Sequence, residues 1–133
     1  MIRFNAETGF ILVGLYNIFS ILIFSKFFTN PLLFQYDPAV FSWVGQISIL
    51  FWGIAYIVIS HKYTKVPYLV LFFAIEKALY VFVWSDWLIG DSNRLSELST
   101  QPLTALFFSI YGIGDLISCI FFAIVAYRLM TNK

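Results

Sequence analysis

Residues 102–129 read PLTALFFSIYGIGDLISCIFFAIVAYRL, and between Pro102 and Arg128 the only charged side chain is Asp115. A run of this length exceeds any strand, and an open sheet in lipid would leave backbone N–H and C=O groups without partners. The stretch therefore reads as a membrane-spanning helix with one acid near its middle. Working back toward the N-terminus, the apolar stretches 8–28, 40–60 and 67–88 repeat the pattern. Each reaches the about 20 residues needed to cross the hydrocarbon. The expected fold is all-α: an integral membrane four-helix bundle of antiparallel up-down topology, forming a single domain over 1–133.

Composition agrees. Of 133 residues, 61% are hydrophobic, 21% aromatic and only 11% charged, against about 25% charged in an ordinary soluble domain. Four spans and short loops consume nearly the whole chain, so the membrane part is expected to be the entire protein. The formal net charge is +1, with no basic block and no glycine-rich phosphate loop, so nucleic acid and nucleotide are not expected as partners. The single cysteine, Cys119, excludes an internal disulfide and a two-cysteine redox centre, and reads as a small packing residue. Arg3 is followed by Glu7 and a long apolar stretch without a small-residue cleavage site, so the first segment is expected to remain as a helix.

Prolines set the breaks. Pro31 and Pro38, with Asn30 and Asp37, interrupt the chain after the first span; Pro67 and Pro102 suit the first turns of the third and fourth. Arg3, Lys62, Lys65, Arg128 and Lys133 gather on one side, facing Lys26 and Arg94 with Asp37, Asp86, Asp91 and Glu97 on the other. Lys and Arg are retained in the cytoplasm, which puts both termini there and implies a cell inner membrane. Trp43, Trp84 and Trp87 then fall at the outer interface, and Tyr63, Tyr68 and Tyr127 at the inner one.

Glu76 and Lys77 lie near the centre of the third span and Asp115 near that of the fourth. An ionised residue at a helix centre costs roughly 2.5 to 3.5 kcal/mol, whereas each Leu, Ile, Phe or Val returns only about 0.3 to 0.6. An ion pair between Lys77 and Asp115, at similar depth in antiparallel spans, is the simplest way to lower that cost. Two acids and one base leave a negative charge over, so one carboxyl is expected to carry a proton. Glu76 and Lys77 stand about 100° apart around the helix and cannot both point along the bundle axis. Tyr80, one turn on, is placed to donate to whichever faces inward.

Polar residues elsewhere follow the same helical rhythm. Thr104, Phe108, Tyr111, Asp115, Ser118 and Phe122 share one face of the fourth span; Ser42, Gln46, Ile49, Gly53, Tyr56 and Ser60 share one of the second. Gly14, Asn17 and Ser20 do so in the first. The candidate ligand- or ion-binding residues are therefore Glu76, Lys77, Asp115, Asn17, Gln46, Tyr80 and Tyr111, lining an inward polar stripe. Gly112 and Gly114 allow close helix approach, or alternatively a broken-helix site. His61, the only histidine, reads as a solvated boundary residue, and no second His or Cys completes a metal site. Neither a metal nor a cofactor is expected.

Fluoride channels and small multidrug exporters have a similar size, but the filter motif of the first and the first-span Glu of the second are absent here. The layout is broadly similar to that of DoxX-like proteins and sterol isomerases, a likeness of hydropathy and helix count that carries no residue roles. The leading expectation is a small polytopic membrane protein whose polar site binds or transports a proton, an ion or a small amphipathic ligand. The alternatives are a membrane-embedded acid-base enzyme acting on a lipid-like substrate and a non-catalytic interaction subunit. Membrane lipids are expected neighbours, and transport would favour a homo-oligomer.

Overall fold

The computed structural model describes residues 5–91 and 93–132; Arg3 and Lys133, used above for orientation, lie outside them. Of the described residues 81% are helical and none lies in a strand. The elements in order are α1 (Ala6–Phe24), α2 (Pro31–Tyr36), α3 (Trp43–Ile59), a 3-10 turn (Tyr63–Lys65), α4 (Pro67–Gly90), α5 (Arg94–Glu97) and α6 (Pro102–Thr131). Among the described residues, α1, α4 and α6 are long and apolar enough to cross a membrane. The 17 residues of α3 are at the short limit of about 17 to 25 for a span.

Local chemistry places the helix ends. The Asn5 side chain accepts from the Glu7 N–H at 3.1 Å, starting α1. That helix stops at Phe24, short of the apolar run's end at Phe28, because Lys26, Phe27 and Phe28 take left-handed φ of 51°, 55° and 66°. Ser25 holds this turn: its hydroxyl accepts from Phe28 N–H at 2.9 Å and its carbonyl from Asn30 N–H at 2.8 Å. Asn30 then caps α2, accepting from Leu32 N–H at 3.2 Å, with Pro31 in the first turn. The Ser42 hydroxyl caps α3 through the Gly45 N–H at 3.1 Å.

Burial is inverted relative to a water-soluble protein. Leu12, Phe19, Phe51, Val58, Phe82 and Ile117 are exposed, while Asn17, Gln46, Glu76, Lys77, Asp115 and Ser118 are buried. Apolar side chains outside and polar ones inside is the arrangement a lipid solvent demands.

The chain divides into two compact units. The first takes in the chain up to His61 together with Gln101–Thr104. In it Glu7 pairs with His61, Asn17 Nδ2 donates to the Ile49 carbonyl at 3.2 Å, and Gly14 lies against Gly53. These contacts descend along α3 as they ascend α1, so the two helices are antiparallel. They touch backbone to backbone: a Cβ on Gly14 would sit 2.6 Å from the Gly53 carbonyl oxygen, and one on Gly53 2.7 Å from that of Gly14. Within the same unit Asn30 Nδ2 donates to Thr104 Oγ1, in the first turn of α6, at 3.0 Å.

The second unit comprises Lys62–Thr100 and the chain from Ala105 onward. Here α4 and α6 pair, again in opposite directions. Phe73 meets Phe122 with ring centroids 5.4 Å apart, and Trp87 stacks on Phe108 at 4.5 Å. Trp84 lies over Gly112, where an added Cβ would come within 2.0 Å of the indole, and its N–H donates to the Phe108 carbonyl at 2.8 Å. Trp43 is exposed, as an interfacial anchor should be, but Trp87 is buried and Trp84 packs inward on α6. Hydropathy could not distinguish an aromatic facing the membrane boundary from one filling a gap above a glycine.

Candidate intramembrane site

The charged residues meet inside the second unit. Lys77 Nζ lies 2.7 Å from Asp115 Oδ1, a charge-assisted hydrogen bond between α4 and α6. Lys77 is 2% exposed and Asp115 7%. The local sequence positions both. Phe73, Ala74 and Lys77 lie on one arc of α4 at helical spacing, and all are buried. On α6 the stripe Thr104, Phe108, Tyr111, Asp115, Ser118 and Phe122 is buried throughout. The 4-3 rhythm of the sequence therefore picks out the packed face of this helix.

Glu76 is buried as well, at 7% exposure. It and Lys77 stand about 100° apart around the helix, and the shielded arc of α4 is wide enough at this level to cover both. Tyr80 meets the Lys77 ammonium with its ring, whose centroid is 5.9 Å from Nζ, rather than through the expected hydroxyl hydrogen bond. Tyr111 is buried in an aromatic group, 5.0 Å from Phe107 and 6.2 Å from Trp84 between centroids. Helix α6 runs unbroken through Gly112, Gly114 and Asp115, so there is no helix break here, and Gly112 lies against the Trp84 indole. Ser118 closes its own hydroxyl onto the Gly114 carbonyl at 2.8 Å, and Cys119 Sγ reaches the Ala74 carbonyl at 3.3 Å.

The remaining candidates, Asn17 and Gln46, belong to the first unit. Asn17 is buried against α3. Gln46 Nε2 donates to the Phe41 carbonyl at 2.9 Å. Of the first-span stripe, Gly14 and Asn17 are buried, but Ser20 gives way to its neighbour Ile21, one position further round the helix. The sequence reading missed the partner of His61: its Nδ1 meets Glu7 Oε1, while the imidazole is 73% exposed. The available signal was that antiparallel first and second spans bring residues 7 and 61 to one boundary. Among the described residues no group of three or more His, Cys, Asp or Glu could hold a metal ion.

Chemically, an ammonium, a carboxylate and a second carboxyl shielded from solvent can hold or exchange one positive charge. Comparison with protein-family models, with curated proteins and with solved structures finds no match to this chain.

Proposed function

We propose that this chain is a four-span inner-membrane protein, an antiparallel up-down helical bundle with both termini cytoplasmic, whose Glu76, Lys77 and Asp115 form a centre for binding or transporting a small cation, the proton above all. The observation that carries this reading is the buried 2.7 Å Lys77–Asp115 pair with a further buried acid, Glu76, adjacent in the chain. One ammonium balances one carboxylate. A second buried acid beside that pair is a group that can take up and release a proton, and intramembrane ionisable residues mark ion and proton paths by default. Supporting the orientation are Lys62, Lys65 and Arg128 on the side assigned to the cytoplasm, with Asp86, Asp91 and Glu97 on the other. A small amphipathic ligand carrying a positive charge would satisfy the same centre.

The test uses purified protein in liposomes loaded with a pH-sensitive dye. Under an imposed proton gradient the parent should move protons, and Glu76→Gln and Asp115→Asn should each abolish the flux while remaining folded. The double variant Lys77→Met/Asp115→Asn decides between function and architecture. A folded, inactive double variant supports a working site, whereas parental flux in it reduces the trio to a structural ion pair.

A further inference from the structure

The end of the second unit that carries the first turn of α4 and the last turn of α6 is basic. The Lys65 N–H donates to the Lys62 carbonyl at 3.0 Å, so the 3-10 turn before α4 brings two lysines within one turn of each other. The ring contact between Phe73 and Phe122 sets the register of α4 against α6. Tyr68 and Tyr127 each stand five residues from it toward this end, and so share one level about 7.5 Å beyond the rings. Arg128 follows Tyr127 directly and Lys65 precedes Tyr68 by three residues, so the three cations gather at one boundary.

Among the described residues of this unit no acid lies at that end. Glu76 and Asp115 sit at mid-helix with Lys77, and Asp86, Asp91 and Glu97 belong to the opposite end. Glu7, in the other unit, is engaged by His61. The side chains of Lys62, Lys65 and Arg128 are exposed, and among the described residues none of them is held in an ion pair. Like charges one turn apart repel, so an anion lying across them relieves that repulsion. The surface next to these cations is apolar and faces outward. Tyr68 is 72% and Tyr127 69% exposed, and on the same helical faces follow the exposed Phe72 and Ile75 of α4 and Ile124 and Ile120 of α6. A partner that fits carries negative charge at one end and long apolar chains below it.

We propose that this end of α4 and α6 binds acidic phospholipids. Their phosphates lie among Lys62, Lys65 and Arg128, Tyr68 and Tyr127 sit at the level of the glycerol, and the acyl chains run along the Phe72–Ile75 and Ile124–Ile120 faces. A zwitterionic head would bring an ammonium of its own against three cations, and a soluble anion would gain nothing from the apolar faces. Each Lys or Arg near a membrane surface contributes about fivefold to such an association. The inference rests on α4 and α6 crossing a membrane, and not on the charged centre between them.

Native mass spectrometry of the detergent-purified protein tests it, with dioleoyl phosphatidylglycerol as the probe and dioleoyl phosphatidylcholine as the comparison. The acidic lipid should bind at least about tenfold more tightly, and the preference should shrink as ammonium acetate is raised, since exposed charges are screened. Lys65→Gln should cost about fivefold of the preference, and the triple variant Lys62→Gln/Lys65→Gln/Arg128→Gln should bring the two lipids to within about twofold. Lys26→Gln, which removes an exposed cation from the other unit, should leave the preference unchanged. Excess sn-glycerol 3-phosphate, a phosphate head without chains, should not displace the lipid. Because the lipid comparison uses the unaltered protein, it does not depend on any variant folding. Equal binding of the two lipids, a preference indifferent to salt or surviving in the triple variant, a loss from Lys26→Gln as large as from Lys65→Gln, or displacement by sn-glycerol 3-phosphate would each overturn the proposal.

Discussion

The two units hold a pair of antiparallel helices together by opposite means. Between α1 and α3 the contact is made by what is missing: Gly14 and Gly53 have no side chains, and each lies within 3 Å of where the other's Cβ would point at backbone. Between α4 and α6 the contact is made by large and charged groups, the Lys77–Asp115 pair and the Phe73, Trp84, Trp87, Phe108 and Phe122 rings. Lipid supplies no hydrophobic drive between helices, so close packing and polar bonding are the forces available, and each unit draws chiefly on one of them. A pair held by backbone contact tolerates no added volume. A pair held by charge tolerates volume changes better but depends on both partners being present.

That asymmetry gives the largest expected effect. Lys77→Met leaves Asp115 buried without its counter-charge, and removing one member of a buried pair costs about 3 to 5 kcal/mol. Lys77→Met/Asp115→Asn should recover at least half of that loss, because the uncompensated charge is gone. Unfolding of both variants in mixed detergent micelles measures the coupling. If the single variant is as stable as the parent, charge does not hold this unit.

The glycine side of the comparison follows. Gly53→Ala places a methyl 2.7 Å from the Gly14 carbonyl oxygen and 2.9 Å from Asn17 Cβ, and overpacking of this kind costs about 1 to 3 kcal/mol. Gly14→Ala should cost a similar amount. The double variant should cost less than the sum, since a single separation of α1 from α3 relieves both clashes. Strict additivity would show that the two glycines do not share one contact.

A third substitution tests whether small residues act alike in both units. Gly112→Ala meets the Trp84 indole, with Cδ2 2.0 Å from the new methyl. An aromatic side chain can swing aside where backbone cannot. The cost should therefore stay near the lower end of about 1 to 3 kcal/mol, with a visible change in tryptophan emission as the indole leaves the Phe108 carbonyl. A loss as large as that from Gly53→Ala would mean that the Trp84 ring is as immovable as a peptide.

Much of this contrast could be read from the chain alone, and the limits have physical causes. Asp115 and its stripe were legible because a lone acid in an apolar run has few ways to avoid lipid, and helical periodicity then fixes its face. The pairing with Lys77 followed from depth. Glu76 was among the expected inward residues, but how one arc of α4 shields it together with Lys77 was not legible, since the width of a shielded arc depends on what packs around a helix and not on angular offset. The end of α1 at Phe24 was hidden because Phe27 and Phe28 carry the apolar run past it, while the backbone at Lys26, Phe27 and Phe28 reverses hand. Helix α2 was hidden for the converse reason: Asn30 and Pro31 signal a break and a helix start equally well. Gln46 was found as a polar residue at the right spacing, but only the committed Nε2 revealed which of its atoms was left over.

The smallest effect belongs to Asn17, a polar group that bonds α1 to the α3 backbone at mid-helix. Its Nδ2 donates to the Ile49 carbonyl, an oxygen that already serves the α3 ladder, so losing the amide leaves no carbonyl stranded. Interhelical hydrogen bonds in membranes average about 0.6 kcal/mol and reach about 1.7, because the separated helices also find partners. Asn17→Ala should fall in that range, below Gly53→Ala, although Asn17 is the polar residue and glycine has no side chain to lose. Measured by the same micellar unfolding, that order would place the strength of the α1–α3 contact in backbone proximity. The reverse order would place it in the amide and make the two units variants of one polar design.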